Sequence, residues 1–136
     1  MISKEIHEFR EFLKYSRKIW SAKRKDLVKE HKLEKSLGIE TAGEYHPLED
    51  TSRHKDMKYY GPTGYGFLEQ LRDSLKMTPE DVFVDFGAGK GRVVCFFAGE
   101  RIKKLVGVEM DPVMLEAARQ NIDRLKVKNS PIELVP

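Results

Sequence analysis

The sequence is poor in the features that stabilise a chain covalently or hold it in a membrane. Its 136 residues include one cysteine, Cys95, so an internal disulfide is excluded and a place in the core is expected for this residue. No apolar run is long enough to span a bilayer and no signal peptide is visible, so we expect a soluble, cytoplasmic protein without membrane contact. The four histidines are scattered without the spacing of a metal site, and no bound metal is expected.

Acidic residues are missing from one stretch near the N-terminus. Residues 14–25 hold six lysines and arginines and no acid, whereas the whole chain has a net charge of only +3. Apolar residues at helical spacing predict a long helix from Ser3, as its N-cap, to about Leu37, with Gly38 at its end. This mixture of bases and aromatic residues would suit a nucleic acid or a membrane surface. The favoured interpretation is an amphipathic helix packed on its own domain, with its bases in water.

Glycine is not abundant, but three glycines alternate at Gly87, Gly89 and Gly91. They follow an apolar run at 82–86, whose composition is typical of a strand buried on both faces, and they precede a helix over 92–99. Glycine can adopt positive φ, and it lets a ligand approach the backbone closely. The segment therefore predicts a strand, a glycine turn and a helix whose first amides point into the turn.

Two acidic residues end neighbouring strands of this unit. Asp85 stands near the end of the first strand, and Glu109 ends a second strand about 20 residues later. Asp111 and Pro112 then predict the N-cap and the first position of a further helix. An acidic residue at the start of the turn suits a cationic ligand better than a pyrophosphate, because a carboxylate attracts a cation and repels a pyrophosphate.

Other glycine motifs fit this turn less well. A dinucleotide fingerprint requires a third glycine where this chain has Arg92. A phosphate loop requires serine or threonine after its lysine, whereas Lys90 is followed by Gly91. An α/β turn that binds no ligand is the simplest alternative.

The pattern Asp-x-Gly-x-Gly-x-Gly resembles motif I of the class I S-adenosylmethionine (SAM)-dependent methyltransferases. The resemblance implies that Asp85 lies near the methionine end of SAM and that the cofactor lies over the glycine turn. It also implies that Glu109 accepts hydrogen bonds from both ribose hydroxyls, which are strong bonds because the acceptor is charged. Met110 stands where the family packs a side chain on the adenine.

A second resemblance precedes the first strand. Residues 37–43 and 60–65 are similar to segments of a bacterial and archaeal subgroup of these methyltransferases, and the Tyr-x-Pro-Thr piece is also similar to a segment of some protein lysine methyltransferases. This similarity implies that Tyr60 and Thr63 lie near the carboxylate end of SAM. The alternative is a simple turn in which Thr63 caps a helix over 63–77.

The resemblance implies an α/β fold with a Rossmann-like parallel sheet flanked by helices, of which this chain supplies the first half in the strand order 3-2-1. A third strand is expected at 132–135, and the acceptor-side strands would lie after Pro136. We therefore expect a helical basic extension and linker at 1–59 and the SAM-binding half of a methyltransferase domain at 60–136. Such a fragment would expose an apolar sheet edge, which favours self-association, and it would be inactive alone.

The function that the resemblance implies is transfer of a methyl group from SAM to an oxygen, nitrogen or carbon atom of an unidentified acceptor. The acceptor would be a protein lysine, a nucleic acid or a small molecule, and no catalytic residue is identified in this chain. The alternatives are a SAM-binding module without catalysis, a nucleic-acid-binding adaptor that acts through the basic helix, and half of a nicotinamide-dependent oxidoreductase, against which Arg92 argues.

Overall fold

The computed structural model describes residues 2–43 and 60–136, and the side chains of most of the first 20 residues lie outside the description. The chain divides into two compact units, Met1–Leu33 and Glu34–Pro136. The predicted boundary between an extension at 1–59 and a half-domain at 60–136 stays a prediction. The elements in chain order are α1 (Ile2–Leu37), α2 (Tyr65–Leu75), β1 (Val82–Phe86), α3 (Arg92–Phe97), β2 (Lys104–Val108), α4 (Pro112–Arg124) and β3 (Ile132–Val135).

The long first helix forms as its periodicity predicts, with one correction at its start. Helix α1 already includes Ile2, so Ser3 lies inside the helix and is not its N-cap. Its end is as predicted: Gly38 adopts a φ of 84°, and its amide donates to the carbonyl of Glu34 at 2.8 Å. A left-handed glycine that closes the last turn in this way is a common helix terminator.

The three strands form one parallel sheet in the order β1-β2-β3, as expected for the first half of a Rossmann-like sheet. In the register, Asp85 pairs with Gly107 and Gly107 pairs with Leu134. Parallel neighbours need a crossover of a dozen or more residues, and α3 and α4 lie in the two crossovers. The carboxyl ends of β1 and β2 therefore meet at one edge, where the glycine turn begins.

One face of the sheet is packed against α3. The rings of Phe83 and Phe97 lie 4.7 Å apart, and the side chains of Phe97, Val94 and Leu105 are fully buried. Gly107 leaves the space into which α3 packs: a Cβ built on it would lie 2.8 Å from Leu134 Cδ2 and 3.1 Å from Val94 Cγ2. Cys95 on α3 is also buried, as expected, and burial raises the pKa of its thiol to about 12.

The opposite face of β1 is exposed, so the expectation of a strand buried on both faces is wrong. Val82, Val84 and Phe86 are 50%, 42% and 81% exposed, respectively. These residues alternate with Phe83 and Asp85, and in a strand such alternation places them on the side away from α3. Among the described residues β1 is also an edge strand, paired only with β2.

The helices around the sheet differ from their predicted bounds at the ends. Helix α2 begins at Tyr65 with Gly64 as its N-cap and no side-chain cap, so Thr63 does not cap it. On α2, Leu68 is buried, whereas Phe67 is 60% exposed. Helix α3 ends at Phe97, two residues before the predicted end at residue 99. Helix α4 begins at Pro112 as predicted, with Asp111 Oδ1 accepting from two amides of its first turn.

A buried ion pair joins the end of α1 to the start of α3. Glu34 and Arg92 are only 5% and 2% exposed, and Arg92 Nη2 lies 3.3 Å from Glu34 Oε1. Thr41 and the hydroxyl of Tyr65 also donate to Glu34 Oε1, and Arg92 Nε donates to Thr41 Oγ1 at 2.7 Å. The Arg92 guanidinium also lies 4.5 Å from the centroid of the Tyr65 ring and donates to the carbonyl of Thr63 at 3.0 Å. This network connects Arg92, the residue that follows the glycine turn, to four segments: the end of α1, the residues after α1, the residues before α2, and α2 itself.

Replacing one partner of this pair should destabilise the fold strongly, because it leaves the other charge buried without its counterion. We expect Arg92→Leu to lower the free energy of unfolding by about 3–5 kcal/mol, measured by urea denaturation. The control is Arg72→Leu, since Arg72 pairs with Asp73 on the surface, and we expect it to cost about 0–1 kcal/mol. Equal losses in the two variants would contradict the structural role assigned to Arg92.

Candidate functional site

The candidate site is the glycine turn with the residues that follow β1 and β2. All three glycines of the turn adopt positive φ: 78° at Gly87, 54° at Gly89 and 82° at Gly91. Most of the turn's amides are already used within the protein. Gly87 and Ala88 donate to the carbonyl of Val108 at 2.8 and 2.9 Å, and Gly91 donates to the carbonyl of Ala88 at 2.8 Å. A phosphate cradle needs such amides free, so this turn is not built to hold a pyrophosphate.

Glu109 holds the turn from the end of β2. Its Oε2 accepts from the amide of Gly89 at 2.7 Å, and its Oε1 accepts from the amide of Asp111 at 2.9 Å. Only 9% of the residue is exposed. A carboxylate has about four acceptor positions, so two remain after these bonds. Glu109 can therefore shape the turn and still accept two hydrogen bonds from a ligand.

Asp85 lies beside Glu109 and carries an unsatisfied oxygen. Its Oδ2 is buried and has no hydrogen-bond partner among the described residues. Burial, and next the charge of Glu109, raises the pKa of the Asp85 carboxyl above its ordinary value. A buried polar atom without a partner costs free energy, and such atoms are rare in folded proteins. A buried acceptor without a partner, beside a second carboxylate, favours a ligand that brings donors or positive charge.

Tyr60 covers the middle of the turn. A Cβ built on Gly89 would lie 2.3 Å from Cε2 of the Tyr60 ring, so only glycine fits beneath this ring. The hydroxyl of Tyr60 donates to the carbonyl of Thr41 at 2.8 Å, and burial raises the pKa of this phenol to about 12. Nothing in the described structure lies within 4 Å of a Cβ built on Gly87. The open side of the turn is therefore at Gly87, and its covered side is at Gly89.

Asn121 on α4 fastens the segment after α1 to the turn. Its side chain is 1% exposed; its Oδ1 accepts from the amide of Glu40 at 2.9 Å, and its Nδ2 donates to the carbonyl of Lys90 at 2.9 Å. Lys90 Nζ in turn donates to the carbonyl of Ala42 at 2.9 Å. The walls of the site are thus built from segments that lie far apart in the chain.

Most of the residues predicted for the site are brought together by the fold. Tyr60, Asp85, the three turn glycines and Glu109 lie around the carboxyl ends of β1 and β2. Met110 follows Glu109 and is 60% exposed, so its side chain is free to cover a ligand. The side chain of Thr63 is exposed, and this residue reaches the site only through its carbonyl, which accepts from Arg92. Gly91 does not face open space: a Cβ built on it would lie 3.2 Å from Cβ of Ala118 on α4, so this glycine allows the turn and α4 to pack closely.

Sequence reasoning missed Glu34, Thr41 and Asn121 as builders of this site. For Asn121 a signal was present, because it is a polar residue on the apolar stripe of α4, three positions after Ala118 and four before Leu125. From the sequence, Arg92 is notable only because it stands where the dinucleotide motif requires a glycine. Nothing in the sequence links it to Glu34, which lies 58 positions earlier.

Within residues 2–43 and 60–136, no group of three or more His, Cys, Asp or Glu side chains is arranged to hold a metal ion. In the same ranges, no helix combines the length and the apolar character that crossing a membrane requires.

A parallel βαβα unit with an acid at the end of each of two strands and an internally bonded glycine turn defines a class I SAM-dependent methyltransferase fold. The family model described as "Histone methylation protein DOT1" matches residues 52–130, which is more than half of the chain. The chain belongs to this family.

Individual relatives cover only part of the chain. The chain is 44% identical over 55 residues to "Histone-lysine N-methyltransferase, H3 lysine-79 specific" of Caenorhabditis elegans, which is 40% of this chain and 6% of that protein. It is 28% identical over 88 residues to "Probable cobalt-precorrin-6B C(15)-methyltransferase (decarboxylating)" of Methanobrevibacter smithii, covering 65% and 46% of the two chains. It is 30% identical over 66 residues to "Protein-lysine N-methyltransferase" of Saccharolobus islandicus, covering 48% and 41%. The matched segments therefore span less than half the length of each of these relatives.

The raised pKa of Asp85 predicts that this residue costs stability when no ligand is bound. The pKa of Asp85 in the folded protein lies above its ordinary value of 3.8 in the unfolded chain. The folded state therefore loses stability as pH rises from 3.8 through the raised pKa. Asp85→Asn should therefore stabilise the ligand-free protein at pH 7, and the gain should shrink as pH falls towards 3.8. Urea denaturation across this pH range measures the effect.

Asp81 provides a control, because its pKa is shifted in the opposite direction from that of Asp85. Its Oδ2 accepts from the amide and the hydroxyl of Thr78 at 2.6 and 2.9 Å, and these bonds lower its pKa. Asp81→Asn should therefore reduce stability at pH 7, with the loss disappearing as pH falls through the lowered pKa. A destabilised Asp85→Asn variant at pH 7 would show that Asp85 has a structural partner and is not held open for a ligand.

Proposed function

We propose that this chain is the SAM-binding part of a methyltransferase that acts in the cytoplasm. The observation that carries the proposal is the buried Oδ2 of Asp85, which lies beside Glu109 and has no partner among the described residues, at a turn most of whose amides are already bonded. Two neighbouring carboxylates favour a cationic ligand with several donors. SAM is such a ligand, since it has a sulfonium, an ammonium and two ribose hydroxyls.

The residues present fit this cofactor on three points. Asp85 supplies an acceptor and a negative charge for the methionine end. Glu109 keeps two acceptor positions, one on each oxygen, which matches the two hydroxyls of a ribose. The exposed Met110 supplies an apolar surface beside Glu109 for the adenine, and Gly87 leaves open space at the turn. The expected role of Tyr60 and Thr63 near the carboxylate end of SAM belongs to the same proposal.

The reaction proposed is direct transfer of the methyl group, which the sulfonium of bound SAM activates, to an oxygen, nitrogen or carbon atom of the acceptor. The part of these residues is to bind and orient the cofactor, because alignment of two bound reactants is itself a large source of rate enhancement. The named relatives include two protein-lysine methyltransferases and a precorrin methyltransferase, so a protein lysine and a small molecule are both supported as acceptors. The runner-up is SAM binding without catalysis.

The cofactor proposal predicts a specific loss at Glu109. We expect Glu109→Ala to weaken SAM binding by about 1.5–3 kcal/mol, the range for hydrogen bonds to a charged group, which is roughly tenfold to a hundredfold in affinity. Isothermal titration with SAM, S-adenosylhomocysteine and NAD measures the effect and separates a methyltransferase site from a nicotinamide site.

Glu109 also holds the amides of Gly89 and Asp111, so two controls are needed. Glu116→Ala removes an exposed acid of α4 and should leave SAM affinity unchanged. A thermal melt must show that Glu109→Ala is folded. SAM bound at wild-type strength by a folded Glu109→Ala variant would remove the ribose role, and binding of NAD in preference to SAM would remove the methyltransferase proposal. Methyl transfer to a protein extract, with the whole protein and labelled SAM, then separates catalysis from binding alone.

We also propose weak self-association of the 136-residue chain through the open edge and face of β1. The double variant Val82→Thr/Val84→Thr keeps β-branched residues that suit a strand but makes this face polar, so it should shift the chain towards monomer in sedimentation velocity. The control, Val113→Thr/Val127→Thr, changes two valines that are 55% and 51% exposed but lie off the sheet. A monomeric wild-type chain, or an equal shift in both variants, would contradict the proposal.

A further inference from the structure

The exposed bases of α1 lie on one side of the helix. At 3.6 residues per turn, six of them fall within an arc of about 140° between residues 17 and 32. All six side chains are exposed. We call this set the basic stripe, and it consists of Arg17, Lys18, Arg24, Lys25, Lys29 and Lys32.

The acids of the same stretch lie on the other side. Asp26 and Glu30 are one turn apart and project away from the basic stripe, together with Lys23. The charges of this helix are therefore separated by face. The linear run at 14–25 did not reveal this, because it includes Lys23 and stops before Lys29 and Lys32.

We propose that the basic stripe binds the phosphate backbone of a nucleic acid. From Arg17 to Lys32 the stripe is about 22 Å long at 1.5 Å per residue. Duplex DNA presents one phosphate charge per 1.7 Å of its axis, so about a dozen phosphates lie within that length. These phosphates belong to two strands that wind around the duplex. Long, exposed cationic side chains in a row can neutralise several of them without a fixed pocket, and this charge complementarity identifies the partner.

A membrane surface fits the stripe less well. A helix that lies on a bilayer buries a continuous apolar face opposite its bases. Between residues 21 and 32, the apolar side chains are Ala22, Leu27 and Val28, which project in three different directions around the helix. Leu27 and Val28 are 56% and 50% exposed, and Val28 lies on the basic arc itself. In residues 21–32, which carry four of the six bases of the stripe, the helix therefore has a charged face but no apolar face to insert.

The test uses the full chain and a fluorescein-labelled DNA duplex of about 20 base pairs. Fluorescence anisotropy at several salt concentrations should show binding at about 50 mM salt that falls steeply as salt rises, since each neutralised phosphate adds about 0.9 to the slope of log K against log salt. The triple variant Lys18→Gln/Lys25→Gln/Lys32→Gln should bind at least tenfold more weakly and lower the magnitude of the slope by about 2–3. Circular dichroism should show an unchanged helix content.

Two matched variants decide whether the stripe or the total charge is responsible. Lys23→Gln removes one base from the opposite side of α1 and should change the affinity far less than Lys25→Gln. The triple variant Arg101→Gln/Lys103→Gln/Lys128→Gln removes three exposed charges from the second unit and should leave the slope unchanged. Equal losses in the two triple variants, absence of DNA binding at 50 mM salt, or binding to phosphatidylserine vesicles but not to DNA would each overturn the proposal.

Discussion

The ion pair between Glu34 and Arg92 is the constraint on which the rest of the site depends. A buried guanidinium must be neutralised and bonded on all sides, and here its partners come from α1, from the segment after α1 and from the residues before α2. Arg92 directly follows the glycine turn, so the segments that satisfy it also become the walls of the turn. Thr41 is the link, because its hydroxyl accepts from Arg92 and its carbonyl accepts from Tyr60.

Within those walls, most of the turn's amides are satisfied by the protein itself. Glu109 and Val108 accept from the turn, while Oδ2 of Asp85 is buried without a partner in the part of the chain that the structure describes. This balance of donors and acceptors supports the proposed cationic ligand more firmly than the glycines do. A turn with free amides would favour an anion, whereas this one favours a cation with hydroxyl and ammonium donors.

The same chain carries two surfaces of opposite character outside the site. The exposed side chains of β1 are apolar, and the basic stripe of α1 is cationic. The first is a consequence of the parallel sheet, in which each strand presents alternate residues to opposite faces, so that covering one face with α3 leaves the other open. The second follows from the helical period alone, and it does not depend on how the two units are arranged.

The sequence by itself determined the elements and the class of site, because these depend on local patterns. Strand periodicity predicted β1 and β3 to the residue, Pro112 predicted the start of α4, and the spacing of Asp85, the glycines and Glu109 indicated the ligand class. Only the tertiary structure decided which polar residues hold the site together. Glu34 and Thr41 have ordinary local contexts, and Asn121 is marked only as a polar residue on an apolar stripe; the role of all three arises from partners that lie up to 81 positions away in the chain. The exposure of Val82, Val84 and Phe86 was likewise decided by tertiary structure, since an apolar run fixes a strand but not which of its faces is covered.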